Sequence, residues 1–275
     1  TAEAAAAFGT RSGIPVITGT FDAAASILGA GLREPGEAID VGGASGGFAV
    51  MTDDPAGVPD LRAIASPLPG RGLLGGAMAA TGSALEWLRR DVLGGALTLA
   101  ALIAEAAETP PGADGLVFLP YLAGERAPIH DPNARGALVG LTLAHRRGHV
   151  TRAVLEAAAY AIRHVAAPIA AAGVPVTELR VTGGPAHSDA WNQVKADATG
   201  FPVAVPAVLE TGLLGAAILG AAGAGVHPDL ASAIAAMVRI KRWLAPRQEF
   251  RAVYDEGFAT YTALYPRLRP LFDRR

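Results

Sequence analysis

The stretch LRVTGGPAHSDAWNQVKADATGFPVAVP, residues 179–206, limits most sharply what this chain can become. An apolar run, LRVT, meets a glycine pair. A helical pattern then covers Asp189 to Ala198, Gly200 stops it, and FPVAVP is a second apolar run. Strand and helix signals exchange within one short span, and they do so again on either side. GLVFLPYL predicts a strand entering a loop, and GALVGLTL predicts another strand. A long helix is expected from His149 to Ala172, begun near Thr151 and stopped by Gly173. Further helices are expected over Thr211–Ala224, Asp229–Ile240 and about Phe250–Tyr265. A chain that alternates in this way builds α/β layers.

The first third reads similarly. IPVITGT predicts a strand, a small-residue helix follows it, and EAIDVGGASGGFAVMT predicts two strands joined by a glycine turn. Residues 53–114 are mixed, with loops at DDPAGVPD and SPLPGRG and helices over Ser83–Val92 and Ala96–Ala107. The 275 residues suffice for one large domain or two small ones, and 51% hydrophobic against 17% charged residues suits a well-buried chain. The net charge of −2 offers no basic field to nucleic acid or acidic membranes. The absence of cysteine excludes disulfides, zinc–thiolate sites and a cysteine nucleophile. It is compatible with a cytoplasmic protein. No run of about 20 residues is apolar enough to span a bilayer. The start, TAEAAAAFGTRSG, lacks the basic-then-apolar order of a signal peptide and has no initiating Met, so a longer parent protein is expected.

Several short features could carry chemistry. Gly42-Gly43-Ala44-Ser45-Gly46-Gly47 is either a hairpin turn or a ring of backbone N–H groups open to phosphate oxygens. It fits neither GxGxxG opening a helix nor GxxxxGK[ST]. Gly183-Gly184 is either a tight turn, with Ser188 or Asp189 as helix cap, or a place where a ligand lies against backbone and the positive helix end. His187-Ser188-Asp189 has the residue types of a hydrolytic triad, but neighbours in sequence do not reach that geometry. The histidines at 130, 145, 149, 164, 187 and 227 show no tight ligand spacing, so no protein-held metal site is expected. Arg89 and Arg90 read as a solvated helix face. Asp22, in GTFDAAASILGAG, is either a helix cap or a carboxylate placed to take a proton.

The order of these features resembles the C-terminal lobe of the FGGY carbohydrate kinases. The anchor is GALVGLTLAHRRGHVTRAVLE, Gly136 to Glu156. It fits a family signature: Gly, an apolar position two residues on, Gly-Leu, seven residues, His, and then Ala-Val-Leu-Glu. LPYLAGERAPIHDPNARG, just before the anchor, resembles the family's loop, and VTGGPAHSDAWNQVKADATGFPV and ETGLLGAAILGAAGAG resemble its adenosine-binding segment and the helix that follows. The resemblance covers nearly the whole chain. It implies an α/β, RNase H-like lobe of the actin-like ATPase superfamily, a mixed sheet flanked by helices. Residues 1–275 would be the nucleotide-binding lobe, with the N-terminal sugar-binding lobe absent from this chain.

It further implies an ATP-dependent phosphotransferase, using Mg2+ with ATP, that acts on a hydroxyl of a ketose or polyol. The lobe alone is expected to be inactive, and a homodimer is an expected assembly. Asp22 matches the proton acceptor. Gly43, Ala44, Ser45 and Gly46 match the phosphate turn, where Ala44 replaces a Thr hydroxyl. Gly82, Gly183 and Gly184 match nucleotide-contacting glycines. Ser188 replaces an Asn that faces adenine in glycerol kinases, and Glu86 stands where those enzymes carry Gln. Xylulokinases typically carry Asp-Asn where this chain has Asp22-Ala23, so the resemblance selects no single sugar. The rival expectation is a non-catalytic sugar- or nucleotide-sensing protein that keeps the fold.

Overall fold

Successive side chains along a strand point to opposite faces, so consecutive apolar residues such as Phe48–Met51 and Leu73–Leu74 feed both faces of one sheet. The computed structural model describes residues 1–55 and 57–272. Its strands are β1 (Glu37–Val41), β2 (Gly46–Thr52), β3 (Arg62–Ala65), β4 (Gly72–Met78), β5 (Val117–Leu119), β6 (Ala137–Val139), β7 (Glu178–Thr182), β8 (Val203–Pro206) and β9 (Ile240–Leu244). Its helices are α1 (Ala2–Phe8), α2 (Asp22–Ala30), α3 (Gly82–Trp87), α4 (Leu99–Ala107), α5 (Arg147–Ala171), α6 (Asp189–Thr199), α7 (Thr211–Gly223), α8 (Leu230–Met237) and α9 (Arg251–Phe272). Seven strands form one mixed sheet in the order β3-β4-β2-β1-β7-β8-β9, and β5 pairs with β6. The β1–β7 and β7–β8 pairs are parallel, and the β1–β2, β2–β4 and β8–β9 pairs are antiparallel.

Ala38, Val50, Leu74, Val181 and Val205 face α5, where Ile162, Val165 and Ile169 fill the layer. Ile39, Met51 and Leu73 face the other way, onto Ile27 and Leu28 of α2, Ile218 of α7 and Ile234 of α8. Each fully buried Leu or Ile contributes about 1.5–3 kcal/mol, so the two packed faces hold the sheet between helix layers. This is the mixed α/β lobe that the family resemblance implies. The small residues of α2 allow it to pack closely on α7. A Cβ at Gly29 would lie 1.8 Å from the Thr211 carbonyl oxygen, and one at Gly215 the same distance from that of Ala25.

Three expectations are corrected, and two strands appear where the sequence named no element. IPVITGT forms no strand, because no neighbour pairs with it, and Val16 is 96% exposed. Residues 53–114 contain β3 and β4, which pair antiparallel with each other and extend the sheet beyond β2. The helix expected to reach Ile240 ends at Met237, and Ile240–Leu244 is instead edge strand β9, paired with β8. The final helix runs on to Phe272 rather than Tyr265. Among the described residues, no helix is long and apolar enough to cross a membrane.

The signature residue Glu156 has a structural place. Buried on α5, it accepts hydrogen bonds from Arg152 Nε (2.7 Å) and from the Gly112 N–H (2.9 Å), while Arg152 also donates to the Tyr254 hydroxyl. Burial pushes the Glu156 carboxyl above the ordinary carboxylate range, and the Arg152 guanidinium opposes that push.

Candidate functional site

Three glycine-bearing segments meet above the carboxyl ends of β1 and β7. The first is the turn between β1 and β2. The second is the start of α3. The third is the loop from β7 into α6. Their contacts explain the glycines. A Cβ on Gly82 would sit 2.1 Å from the Gly43 carbonyl oxygen, and one on Gly183 would sit 2.0 Å from that of Gly42. One on Gly46 would strike the Thr81 hydroxyl at 2.6 Å. Gly183 also has φ +71°, a backbone that disfavours any side chain. The Ser83 N–H donates to the Ala44 carbonyl at 2.8 Å and ties α3 to the turn. Larger residues at these places would drive the segments apart.

Beside them opens a cleft of about 1030 Å³. Gly43, Ala44, Gly82, Gly184 and Ser188 line it, while Ser45, Gly46 and Gly183, on the same segments, do not. Nothing lies within 4 Å of a Cβ built on Gly184, so the backbone there stands bare toward the cleft. Ser188 caps α6, its Oγ accepting from the Trp191 N–H at 3.3 Å. Of the two caps that the sequence offered, Ser188 and Asp189, the structure uses Ser188, and Gly184 on the same segment borders the cleft.

The walls were not legible as a site. Trp87, Leu99, Ile103, Leu122 and Trp191 make one side apolar. Arg90 and Asp91, in the π-helical turn Leu88–Val92 that continues α3, reach the rim; such turns are frequent at functional sites. The rim charges pair with one another. Glu86 accepts from Arg89 Nη2 (2.6 Å) and Nε (2.8 Å), and this hydrogen bonding holds its carboxyl below the ordinary range. Arg90 and Asp91 form a second bidentate pair. An apolar slot with a bare-backbone end suits a flat heterocycle joined to an anionic group.

Asp22 lies elsewhere. It is the first residue of α2, exposed, and its Oδ1 accepts from the Ala23 N–H at 2.7 Å. It does not line the cleft. Nor does its side chain cap the helix, since the N-cap position is Phe21 and no side-chain cap bond forms. The carboxylate stands at the N-terminal end of α2. Among the described residues, no group of three or more His, Asp or Glu is placed to hold a metal ion.

Fold and cleft together define a lobe of the actin-like ATPase type, with glycine turns at the strand ends and an apolar pocket beside them. The chain belongs to the FGGY family of carbohydrate kinases: the family's C-terminal domain matches residues 40–224. It is 33% identical over 263 residues to the gluconokinase of Bacillus licheniformis, covering 92% of this chain and 51% of that protein. It is 36% identical over 258 residues to the glycerol kinase of Citrifermentans bemidjiense, covering 89% of this chain and 51% of that one. The crystal structure of xylulose kinase from Rhodospirillum rubrum superposes with a TM-score of 0.88 at 38% identity, covering all of this chain and 56% of the other. The chain thus spans about half the length of the relatives it matches.

Proposed function

We propose that this chain is the nucleotide-binding lobe of an ATP-dependent carbohydrate kinase, which transfers the γ-phosphoryl group of ATP to a hydroxyl of a ketose or polyol. The observation that carries this reading is the convergence of the turn at Gly43–Gly46, Gly82 and Gly183–Gly184 on one cleft with an apolar end. Bound MgATP supplies the phosphoryl group, with Mg2+ spreading the charge that develops.

The chain's own residues bind and orient. The turn between β1 and β2 offers backbone N–H groups without bulky side chains, the property that suits phosphate oxygens. Ala44 offers no hydroxyl there, so at that position the phosphate grip rests on backbone N–H, at a cost of about 1 kcal/mol. Gly184 and Ser188 present backbone and a helix N-terminus on the adenosine side, with Trp87, Leu99 and Ile103 as the apolar wall. With Glu86 held by Arg89, its carboxylate is committed within the protein, and the wall contributes shape rather than charge.

Asp22 is assigned as general base. Its carboxylate takes the proton of the sugar hydroxyl as that oxygen bonds to the γ-phosphorus and the bond to ADP breaks. It lies outside the nucleotide cleft, as a group that meets the sugar would, and the other sugar contacts are assigned to an N-terminal lobe. The three relatives carry three different substrates at 33–38% identity, so identity selects no single sugar.

Asp22→Asn in an enzyme carrying both lobes is expected to lower turnover about 10²–10⁴-fold with ADP binding unchanged. Near-normal turnover would remove Asp22 from this role. The chain alone is expected to bind nucleotide and to phosphorylate no sugar; robust turnover by it would refute the half-site reading.

A further inference from the structure

A carboxylate and an ammonium lie buried beneath this cleft, and the mechanism above uses neither. Asp40 is 3% exposed and Lys195 2%, and Lys195 Nζ donates to Asp40 Oδ2 at 2.5 Å. The two residues are 155 positions apart in the chain. Asp40 sits near the end of β1, two residues before the glycine turn. Lys195 is on α6, one helical turn beyond Trp191, with its ammonium 5.3 Å from the Trp191 ring centroid. Trp191 lines the cleft, and its N–H is capped by Ser188. A cavity of only about 10 Å³ is bordered by the pair together with Gly42, Thr81 and Trp191.

A buried ion pair is a poor source of net stability, since desolvation offsets most of its attraction. An apolar pair would fill the same space at no loss. What the pair does supply is a fixed geometry: a charge-assisted hydrogen bond tolerates little change in length or angle. It joins the strand that leads into the phosphate-side turn to the helix that begins the adenosine-side wall. The β1–β7 ladder aligns the strand ends, but α6 stands off the sheet, and the pair pins it from inside.

We propose that the Lys195–Asp40 pair is a positioning device that sets the spacing between the turn at Gly42–Gly46 and the wall at Ser188–Trp191, so that a ligand spanning both needs it and a ligand touching only one does not. The assignment rests on the nucleotide reading of the cleft. A nucleoside diphosphate spans both parts; adenosine reaches only the wall.

The test is calorimetric titration of ADP and of adenosine into the wild-type chain and into the double variant Asp40→Asn/Lys195→Met, which removes both charges and keeps both stems, with circular dichroism as the check on folding. Affinity for ADP is expected to fall about tenfold, the order of one charge-assisted hydrogen bond, with adenosine changed less than about twofold. Unchanged ADP affinity, or equal losses for both ligands, would overturn the proposal. Should that double variant not fold, Asp40→Asn/Lys195→Gln, which replaces the ion pair by a neutral hydrogen bond and leaves no unpaired buried charge, is expected to shift the ADP-to-adenosine ratio in the same direction by about threefold; an unmoved ratio overturns the proposal as well. A wild-type chain that binds neither ligand would instead overturn the nucleotide reading, and this assignment with it.

Discussion

Replacing Gly82 by alanine adds one methyl group at the point where α3 meets the turn between β1 and β2. That methyl would lie 2.1 Å from the Gly43 carbonyl oxygen and 3.1 Å from its carbon, and neither atom belongs to a flexible side chain. The backbones must part by about 1.3 Å to bring the 2.1 Å approach out to the 3.4 Å of ordinary contact. Overpacking of this kind costs about 1–3 kcal/mol. Losing the Ser83 N–H to Ala44 carbonyl bond adds about 1 kcal/mol. For a chain of this size each kcal/mol moves the melting temperature by roughly 2–4 °C, so a fall of about 4–16 °C is expected. The displaced turn also faces the cleft, and a misplacement of about 1 Å can cost on the order of a hundredfold where ligand geometry matters. Scanning fluorimetry and ADP calorimetry read the two effects. Gly220→Ala, mid-helix on α7 with nothing within 4 Å, is the control and is expected to leave ADP binding intact. A Gly82→Ala protein with wild-type melting and ADP affinity within about twofold of wild type would refute the argument that this glycine exists for close approach.

Gly184→Ala is expected to keep the wild-type melting temperature and to lose about tenfold in ADP affinity by calorimetry, because its methyl meets no protein atom within 4 Å and enters the cleft instead. Arg152→Met should destabilise the fold by about 3–5 kcal/mol in urea titration by leaving the Glu156 carboxylate buried without its cation, and Arg152→Met/Glu156→Gln should recover most of that loss. His164, packed against Phe258 and Tyr261, has its pKa lowered from 6.5 by burial. The unfolded chain therefore takes up a proton that the folded one resists, and stability should fall as pH drops below 6.5. In melting curves across that range, His164→Gln should flatten part of the slope.

The backbone turns of the cleft were legible because glycine beside a strand end carries a conformational message. Gly42–Gly47 and Gly183–Gly184 announced themselves, and the long helix α5 did so through its length and its Gly173 stop. Strand β4 did not, since GLLGGAM lacks β-branched residues; its glycines serve close packing, with a Cβ on Gly75 falling 2.0 Å from the Phe48 carbonyl oxygen. IKRWL alternates charge and bulk next to a helical run, and only its first residue, Ile240, falls within the expected helix; pairing with β8 makes the whole run a strand. IPVITGT carries a strand's composition, but a strand also needs a partner, which composition does not reveal. The apolar walls stayed hidden for another reason. Leu99, Ile103 and Trp191 follow the helical spacing of core residues, and only tertiary packing shows that some face a cleft. Asp40 within the apolar strand EAIDV implies a buried partner, but nothing local points to Lys195.

The central claim is that this lobe holds a nucleotide between the glycine turns and the apolar wall. Trp87 and Trp191 line that cleft, and Trp243 does not. The most direct measurement is tryptophan emission of the chain during an ADP titration. The account predicts a saturable change with one ADP per chain. Emission that stays flat to several millimolar ADP would contradict it.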